Sequence, residues 1–174
     1  DPSVTQLQDG GFVITWDSSG DIYGQRYDDA GAEKGNAFRV NKTTSDTQDE
    51  SSVAALDDGF VVTWQSTNQG EANTWSGWEN IFAKTFTTKD ANGDAIDTPA
   101  VKVDEFLVNA SGDGTTKNSQ NTTIDSKYGT QNHPDVTALT DGNFVVTWHN
   151  ASPSYSVDGG HGTDVFGQVY KPDG

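Results

Sequence analysis

The hydrophobic pattern of the chain is dominated by one six-residue stretch that occurs three times. It reads GFVITW at 11–16, GFVVTW at 59–64 and NFVVTW at 143–148. Side chains alternate between the two faces of an extended chain, so each copy places apolar residues on both faces. The Phe, Val, Ile, Thr and Trp content favours a β-strand. The pattern therefore predicts three equivalent strands, each buried between two layers.

Each copy belongs to a longer repeat that predicts four strands, here termed A to D. Strand A precedes the six-residue stretch, which is strand B, and an Asp-Gly pair between them supplies the positive φ angles of a tight hairpin turn. Strands C and D follow, and the third copy ends before its strand D. The predicted strands are 3–7, 11–16, 22–27 and 38–41; 52–56, 59–64, 81–86 and 106–109; and 135–139, 143–148 and 165–170. No stretch has helical periodicity, so all eleven elements are strands.

These repeats predict an all-β fold made of three four-stranded antiparallel meanders that resemble β-propeller blades. Trp16 and Trp64 are 48 residues apart, within the roughly 40–50 residues of a propeller blade. The predicted domain spans 1–174, with repeats at 1–48, 49–131 and 132–174. A pseudo-threefold, trefoil-like barrel is the alternative, since closed propellers generally have four to eight blades. The incomplete third repeat predicts self-association or neighbouring repeats that pair with it.

The repeats differ in length mainly in their loops, and most of the additional loop residues lie at one end of the predicted sheets. In a meander the B-to-C and D-to-A connections leave by the same end, and these carry the long segments 66–80, 110–132 and 150–163. Long loops on a rigid scaffold commonly carry function. Their aromatic residues are candidate ligand-binding residues, because such rings suit the apolar faces of sugars or anchor a protein partner. These residues are Trp75, Trp78, Tyr155 and His161. The alternative is that the two indoles cover the small core.

Composition narrows the classes of partner. The chain has 26 acidic and 10 basic residues, a net charge of −16, which disfavours nucleic acids and anionic membranes and favours cations. No apolar run approaches the roughly 20 residues that cross a bilayer, so membrane insertion is not expected. The absence of cysteine excludes a disulfide framework and a thiolate metal site. Catalytic motifs are also missing, and carboxylates are too numerous for any one pair to stand out.

The best candidate metal site is the C-to-D connection of the second repeat. Asp90, Asn92, Asp94 and Asp97 alternate along a short loop, and such a loop can direct several hard oxygens at one calcium ion. No bidentate Glu closes the loop, unlike in an EF-hand. The alternative is a hairpin turn at Asn92 and Gly93 with solvated acidic neighbours.

The repeat as a whole resembles one known family. The pattern P-x-V-x-x-L-x-D-G-G-F-V-x-T-W occupies 2–16, D-I-Y-G-Q-R-Y-D-x-x-G occupies 21–31, F-x-V-N occupies 38–41, and a Gln at 48 and again at 131 precedes the next copy. This combination resembles the repeats of very large secreted bacterial proteins, the RTX-type, calcium-associated adhesins and related surface proteins. The resemblance implies a secreted or cell-surface module in a calcium-rich context.

The sequence thus predicts a calcium-stabilised adhesion or recognition module without enzymatic activity. It would bind a glycan or a protein through the long loops on one face. A polysaccharide-active enzyme, a glycosidase or a lyase built on a propeller with an acidic pocket at that same face, is the first alternative. A structural spacer or filament module is the second.

Overall fold

The structure is a computed structural model that describes residues 1–69, 78–109, 117–118, 130–151 and 163–173. Within these residues the chain forms twelve strands, β1 to β12. Their bounds are Ser3–Gln6, Phe12–Ser18, Asp21–Tyr27, Glu33–Arg39, Gln48–Leu56, Gly59–Thr67, Glu79–Lys89, Ala95–Leu107, Lys117–Asn118, Thr130–Ala138, Phe144–Ala151 and Thr163–Tyr170. In the described part of the chain, no helix is long and apolar enough to cross a membrane.

The strands form three separate antiparallel sheets of four strands each. Sheet I has the order β1-β2-β3-β4, sheet II the order β5-β6-β7-β8, and sheet III the order β10-β11-β12-β9. The predicted all-β fold and its antiparallel meanders are confirmed. Because the strands form three sheets rather than one shared barrel, the trefoil-like alternative does not describe this fold.

Sheet II lies between sheets I and III. Its first strand, β5, packs against β1 and β2 of sheet I and against β10 of sheet III, so the first strands of the three sheets lie next to one another. Two apolar cores result, one on each face of sheet II. The core with sheet I contains Leu7, Val13, Ile22, Val40, Val53, Phe60, Val62, Trp64, Phe82 and Phe86. The core with sheet III contains Ala54, Leu56, Val61, Ile81, Ala83, Val108, Val136, Phe144, Val146, Trp148 and Phe166.

The three copies of strand B are buried to different extents. In β6 every residue from Gly59 to Ser66 is buried, as predicted for a strand between two layers. In β2 and β11 burial alternates from residue to residue, because sheets I and III are each covered on one face. The prediction of two covered faces is therefore correct for the middle sheet and wrong for the outer two.

Each sheet carries the same two stacked pairs of aromatic rings between strands B and C. In sheet II, the rings of Phe60 and Phe86 are 5.0 Å apart and those of Trp64 and Phe82 are 6.3 Å apart. The equivalent pairs are Phe12–Tyr27 and Trp16–Tyr23 in sheet I, and Phe144–Tyr170 and Trp148–Phe166 in sheet III. Cross-strand aromatic pairs of this kind stabilise a sheet and fix its register. The repeated Phe and Trp of strand B are thus structural.

The turns between strands A and B follow two designs. Gly10 and Gly142 have φ angles of 87° and 84°, as the Asp-Gly signal predicts. Gly59 differs, because β5 and β6 pair Leu56 with Gly59 and leave a two-residue turn between them. A Cβ at Gly59 would lie 1.8 Å from the carbonyl oxygen of Phe86, so this glycine is required by the close approach of β7 rather than by its φ angle.

The fourth strands depart most from the sequence prediction. β4 and β8 begin earlier than the predicted strands D and end before the Asn of the F-x-V-N motif. The edge of the third unit is paired by β9, whose Lys117 and Asn118 lie opposite Gly167 and Phe166 of β12. The connection before β10 therefore supplies the strand that the third repeat lacks.

Candidate functional site

The ends of several strands in sheets II and III converge on one group of polar side chains. We call this end of the sheets the loop end, since the connections 68–78 and 108–129 leave from it. β6 ends and β7 begins here, while β5 and β10 start here. This arrangement brings together Asp49 and Glu50 from β5, Gln65 from β6, Glu79 from β7 and His133 from β10.

The starts of β5 and β10 share an uncommon backbone conformation. Glu50 and His133 have φ angles of 55° and 53°, and each lies at a register shift in its sheet. A left-handed conformation in a non-glycine residue costs about 1–3 kcal/mol. Bulges of this kind re-aim side chains and are frequent next to functional sites. The equivalence of Glu50 and His133 shows that the repeat builds this feature twice.

Glu79 is the central carboxyl group of the site. It is partly buried, and its Oε1 accepts a hydrogen bond from Nε2 of Gln65 at 3.4 Å. The Oε1 of Gln65 accepts a second hydrogen bond from the backbone N–H of His133 at 3.0 Å, which links sheets II and III at this point. Burial raises the pKa of Glu79, and the charges of Asp49 and Glu50 raise it further, while His133 opposes the shift.

Asp49 has a carboxylate oxygen that accepts no hydrogen bond from any described residue. Its Oδ1 is buried and has no hydrogen-bond partner among the described residues. A buried carboxylate oxygen without a donor is costly and uncommon in folded proteins. Together, Asp49 and Glu79 place a carboxyl group with an unpartnered buried oxygen close to a carboxyl group whose pKa is raised, so that the second stays protonated to higher pH. That combination is the one that acid–base catalysis requires.

Two histidines flank the carboxylates. The rings of His133 and His149 are exposed and lie 5.4 Å apart. They provide donors and acceptors for a polar ligand at the rim of the site. Among the described residues, no group of three or more His, Asp or Glu side chains could hold a metal ion.

The opposite end of the sheets, the turn end, contains the predicted calcium loop. Asp90 accepts hydrogen bonds through Oδ1 from the backbone N–H groups of Asn92 and Asp94, both at 2.9 Å. Gly93 has a φ angle of 86°, so the segment is the hairpin turn of the alternative interpretation. The side chain of Asp97 lies 3.9 Å from Nζ of Lys34. These residues do not fit a calcium site in this arrangement, and calcium binding stays a prediction.

A second turn repeats the construction of the Asp90 loop. Asp28 accepts hydrogen bonds through Oδ1 from Ala30 at 3.0 Å and from Ala32 at 2.7 Å. Also at the turn end, the fully buried guanidinium of Arg26 donates to Oδ2 of Asp9 at 2.8 Å. Burial opposes a low pKa at Asp9, but the N–H of Gly11 and the charges of Arg26 and Lys34 outweigh it and lower the pKa. These carboxylates hold the fold together.

The F-x-V-N motif also has a structural role. Oδ1 of Asn41 accepts from the backbone N–H of Ile22 at 2.8 Å, and Oδ1 of Asn109 accepts from Ile81 at 2.7 Å. The amide groups of these two asparagines donate to Asp21 at 2.6 Å and Asn80 at 2.9 Å. The motif therefore fixes the start of strand C in sheets I and II.

The predicted ligand-binding residues lie mostly outside the described residues. Trp75, Tyr155 and His161 belong to that group. Trp78 is described: it is partly buried, directly precedes Glu79, and its carbonyl accepts from the N–H of Asn68 at 2.9 Å. The candidate site lies at the same end of the sheets as the predicted loop face, but Asp49, Glu50 and Glu79 are not among the predicted ligand-binding residues, whose role stays a prediction. One sequence feature points to the bulges of the site. A Gln, buried in the structure, stands at 48 and again at 131, two residues before the bulges at Glu50 and His133.

The known proteins that resemble this chain resemble it in structure. No family model matches the chain, and no curated protein matches it. An exo-1,5-α-L-arabinanase from a bovine ruminal metagenomic library is similar in structure, with a TM-score of 0.51 and 12% identity over 95% of this chain. An endo-1,5-α-L-arabinanase from Thermotoga petrophila and a GH62 hydrolase in complex with xylotriose match with a TM-score of 0.49 each, at 16% and 11% identity and over 97% of this chain.

The chain spans about half the length of the first of these proteins, 52% of the exo-arabinanase. It spans 38% of the endo-arabinanase and 55% of the GH62 hydrolase. With the three stacked meanders described above, the likeness to the exo-arabinanase identifies the fold as propeller-like.

These comparisons correct the predicted function. The prediction of an adhesion module without enzymatic activity is contradicted, because the solved structure that identifies the fold is a glycoside hydrolase. The first alternative, a polysaccharide-active enzyme built on a propeller, is taken up below as a proposal. At 12% identity the likeness concerns the fold, and the chemistry of this chain follows from its own side chains.

Proposed function

We propose that this chain is part of a polysaccharide-active enzyme, a glycoside hydrolase whose cleavage site is at the loop end between sheets II and III. The observation that carries the proposal is the pairing of Glu79 with Asp49. One has a raised pKa, and the other has a buried oxygen that no described residue engages. Glycoside hydrolysis generally uses two carboxyl groups in these two states.

Glu79 is the proposed general acid. Its raised pKa keeps it protonated at higher pH than an exposed Glu, so it can give a proton to the oxygen that leaves the sugar. Gln65 donates to Oε1 of Glu79, which orients the carboxyl group. Asp49 is the proposed second carboxyl group, which either attacks the anomeric carbon or activates the water that does so.

The proposed substrate is a neutral polysaccharide. A net charge of −16 repels uronic acid polymers, whereas uncharged pentosans carry no such penalty. Trp78 is partly buried at the start of β7, and its indole is a candidate for stacking on a sugar ring. Arabinans are the first substrates to test, because two of the similar structures are arabinanases.

We also propose how the chain fits a larger molecule. Sheets I, II and III would be three blades of a propeller, from the repeats 1–48, 49–131 and 132–174. The resemblance to RTX-type repeats supports a secreted, extracellular protein. A glycan is the proposed partner at the loop end.

The experiment is a digestion series with the purified chain. Arabinan, arabinoxylan, xyloglucan and a uronic acid polymer are incubated with wild-type protein and with Glu79→Gln. Release of new reducing ends from a neutral polymer, lost in Glu79→Gln, is the expected result. Unsaturated products that absorb at ultraviolet wavelengths would identify a lyase instead. Asp28→Asn is the matched control, since Asp28 is an acidic residue of the turn end.

A further inference from the structure

The two contacts between sheets are built in the same way. In each, a face rich in aromatic residues packs on a face rich in Val and Thr. The aromatic face of sheet II contains Val53, Phe60, Val62, Trp64, Phe82 and Phe86, and it packs on sheet I through Val13 and Ile22. The aromatic face of sheet III contains Val136, Phe144, Val146, Trp148 and Phe166, and it packs on sheet II through Val61, Ile81 and Ala83.

A hydrogen bond between the first strands accompanies both contacts. Oγ of Ser3 in sheet I accepts from the backbone N–H of Val53 in sheet II at 3.2 Å. Oγ of Ser52 in sheet II accepts from the N–H of Val136 in sheet III at 3.3 Å. The same positions of the repeat form the bond each time, with the Ser in the earlier sheet and the N–H in the later one. The two contacts are therefore equivalent and have the same direction.

The outer sheets each present one half of this contact to solvent. Sheet I presents an aromatic face, on which Val4 is 64% exposed, whereas the equivalent Val53 and Val136 are 6% and 5% exposed. Sheet III presents a Val and Thr face, on which Val165 and Val169 are 47% and 57% exposed. In sheet II the residue equivalent to Val165 is Ile81, which is fully buried.

The two open faces are formed by the same repeat positions as the buried ones and carry similar residues. The open face of sheet I contains Val4, Phe12, Ile14, Trp16, Tyr23 and Tyr27. The open face of sheet III contains Asp135, Thr137, Val145, Thr147, Val165 and Val169. Thr147 and Val145 match Thr15 and Val13 of sheet I, which are fully buried in the contact with sheet II. Exposed apolar faces of this size on a sheet mark an interface.

We propose that the open face of sheet I binds the open face of sheet III of a second copy of this chain. Both halves of the contact are present on one chain, and the two internal contacts show that they fit each other. Asp135 stands at the repeat position of Ser3 and Ser52, and its Oδ1 already accepts from Oγ of Ser52 and from the N–H of Val136, both at 2.9 Å. In the third contact its Oδ2 accepts from the N–H of Val4 of the second copy. Because the two faces differ, the contact is head-to-tail, and it closes into a ring or extends into a chain.

The test uses one charged variant for each face. Val4→Asp places an unpaired charge in the sheet I face, and Val169→Asp does so in the sheet III face. Both valines are exposed, so far-UV circular dichroism should show an unchanged fold. Val101→Asp is the control, since Val101 is 51% exposed on sheet II and lies on neither open face.

Sedimentation velocity at micromolar concentration then measures the assembly. Wild type and Val101→Asp should associate, and each face variant alone should be monomeric. An equimolar mixture of Val4→Asp and Val169→Asp should form a dimer and nothing larger, because the mixture contains one intact face of each kind. A monomeric wild type, undiminished association of a face variant, or a mixture that stays monomeric would each overturn the proposal.

Discussion

The carboxylates at the two ends of the sheets differ in how the fold uses their oxygens. At the turn end, Asp28 and Asp90 each accept two backbone N–H groups, and Asp9 pairs with the buried Arg26. At the loop end, one oxygen of Asp49 is buried with no donor among the described residues, and Glu79 is partly buried beside other carboxylates. Among the described carboxylates, a buried oxygen without a donor singles out Asp49 as a candidate functional residue.

The largest expected effect is on the rate of polysaccharide cleavage by Glu79→Gln. Glutamine keeps the size of the side chain but cannot release a proton. Loss of a general acid typically lowers the rate about 10²–10⁴-fold. Initial rates of reducing-end release measure the effect, with Asp28→Asn as a control that should cleave at the wild-type rate. Equal losses in both variants would remove the distinction between the two ends.

At the turn end the expected effect is on stability. Asp9→Ala removes the partner of a guanidinium that is fully buried, and it should lower the free energy of unfolding by about 1.5–3 kcal/mol. The pKa of Asp9 is lowered in the folded state, so its contribution is present above its ordinary pKa and is lost as the pH falls through the lowered one. Urea unfolding at neutral and acidic pH measures both. A loss of stability that does not shrink in acid would contradict this role.

A smaller loss is expected in the Asp90 turn. Asp90→Ala removes the acceptor of two backbone N–H groups that solvent can partly replace, and it should cost about 1 kcal/mol. Asp90→Asn keeps a side-chain oxygen at the same place and should be close to wild type. Thermal melts of the two variants compare them, and equal melting temperatures would show that the turn does not depend on Oδ1.

The smallest expected effect is on the stability of the Glu79→Gln variant. Because the folded-state pKa of Glu79 is raised above its ordinary value of 4.5, wild type gains stability below that value and loses it as the pH rises through the raised pKa. The variant should therefore melt at the wild-type temperature or slightly above it at neutral pH. A markedly lower melting temperature at neutral pH would place Glu79 among the structural carboxylates.

The sequence predicts strands A, B and C of each unit because their hydrophobic pattern follows from how they pack, whereas the predicted strands D differ from β4 and β8 in their bounds. The stretch at 59–64 is apolar on both faces, and the meander follows from the turns beside it. The edge strand β9 was not predicted, since its two residues carry no pattern and pair only because the third repeat has no strand D. Loop length alone predicts a functional face at the loop end, and that assignment stays a prediction.

The site residues themselves could not be predicted from the sequence. Glu79 differs from the other acidic residues through its burial, and Asp49 through a missing donor, and both depend on the packing of sheet III against sheet II. The bulge at Glu50 is likewise visible only in the register of β5 with β6. Conversely, the Asp90 loop has the composition of a cation site, but the backbone N–H groups of Asn92 and Asp94 bond to Oδ1 of Asp90 in a hairpin turn, which the composition does not reveal.

The most direct measurement compares two substrates that differ only in their leaving group. A general acid is needed to cleave the bond between two sugars, whereas a nitrophenolate departs without a proton. If Glu79 is the acid, Glu79→Gln should lose about 10²–10⁴-fold on the polysaccharide and keep most of its rate on the nitrophenyl glycoside of the same sugar. An equal loss on both substrates, or no cleavage of either by the wild-type chain, would contradict the assignment of Glu79 and the proposed hydrolase with it.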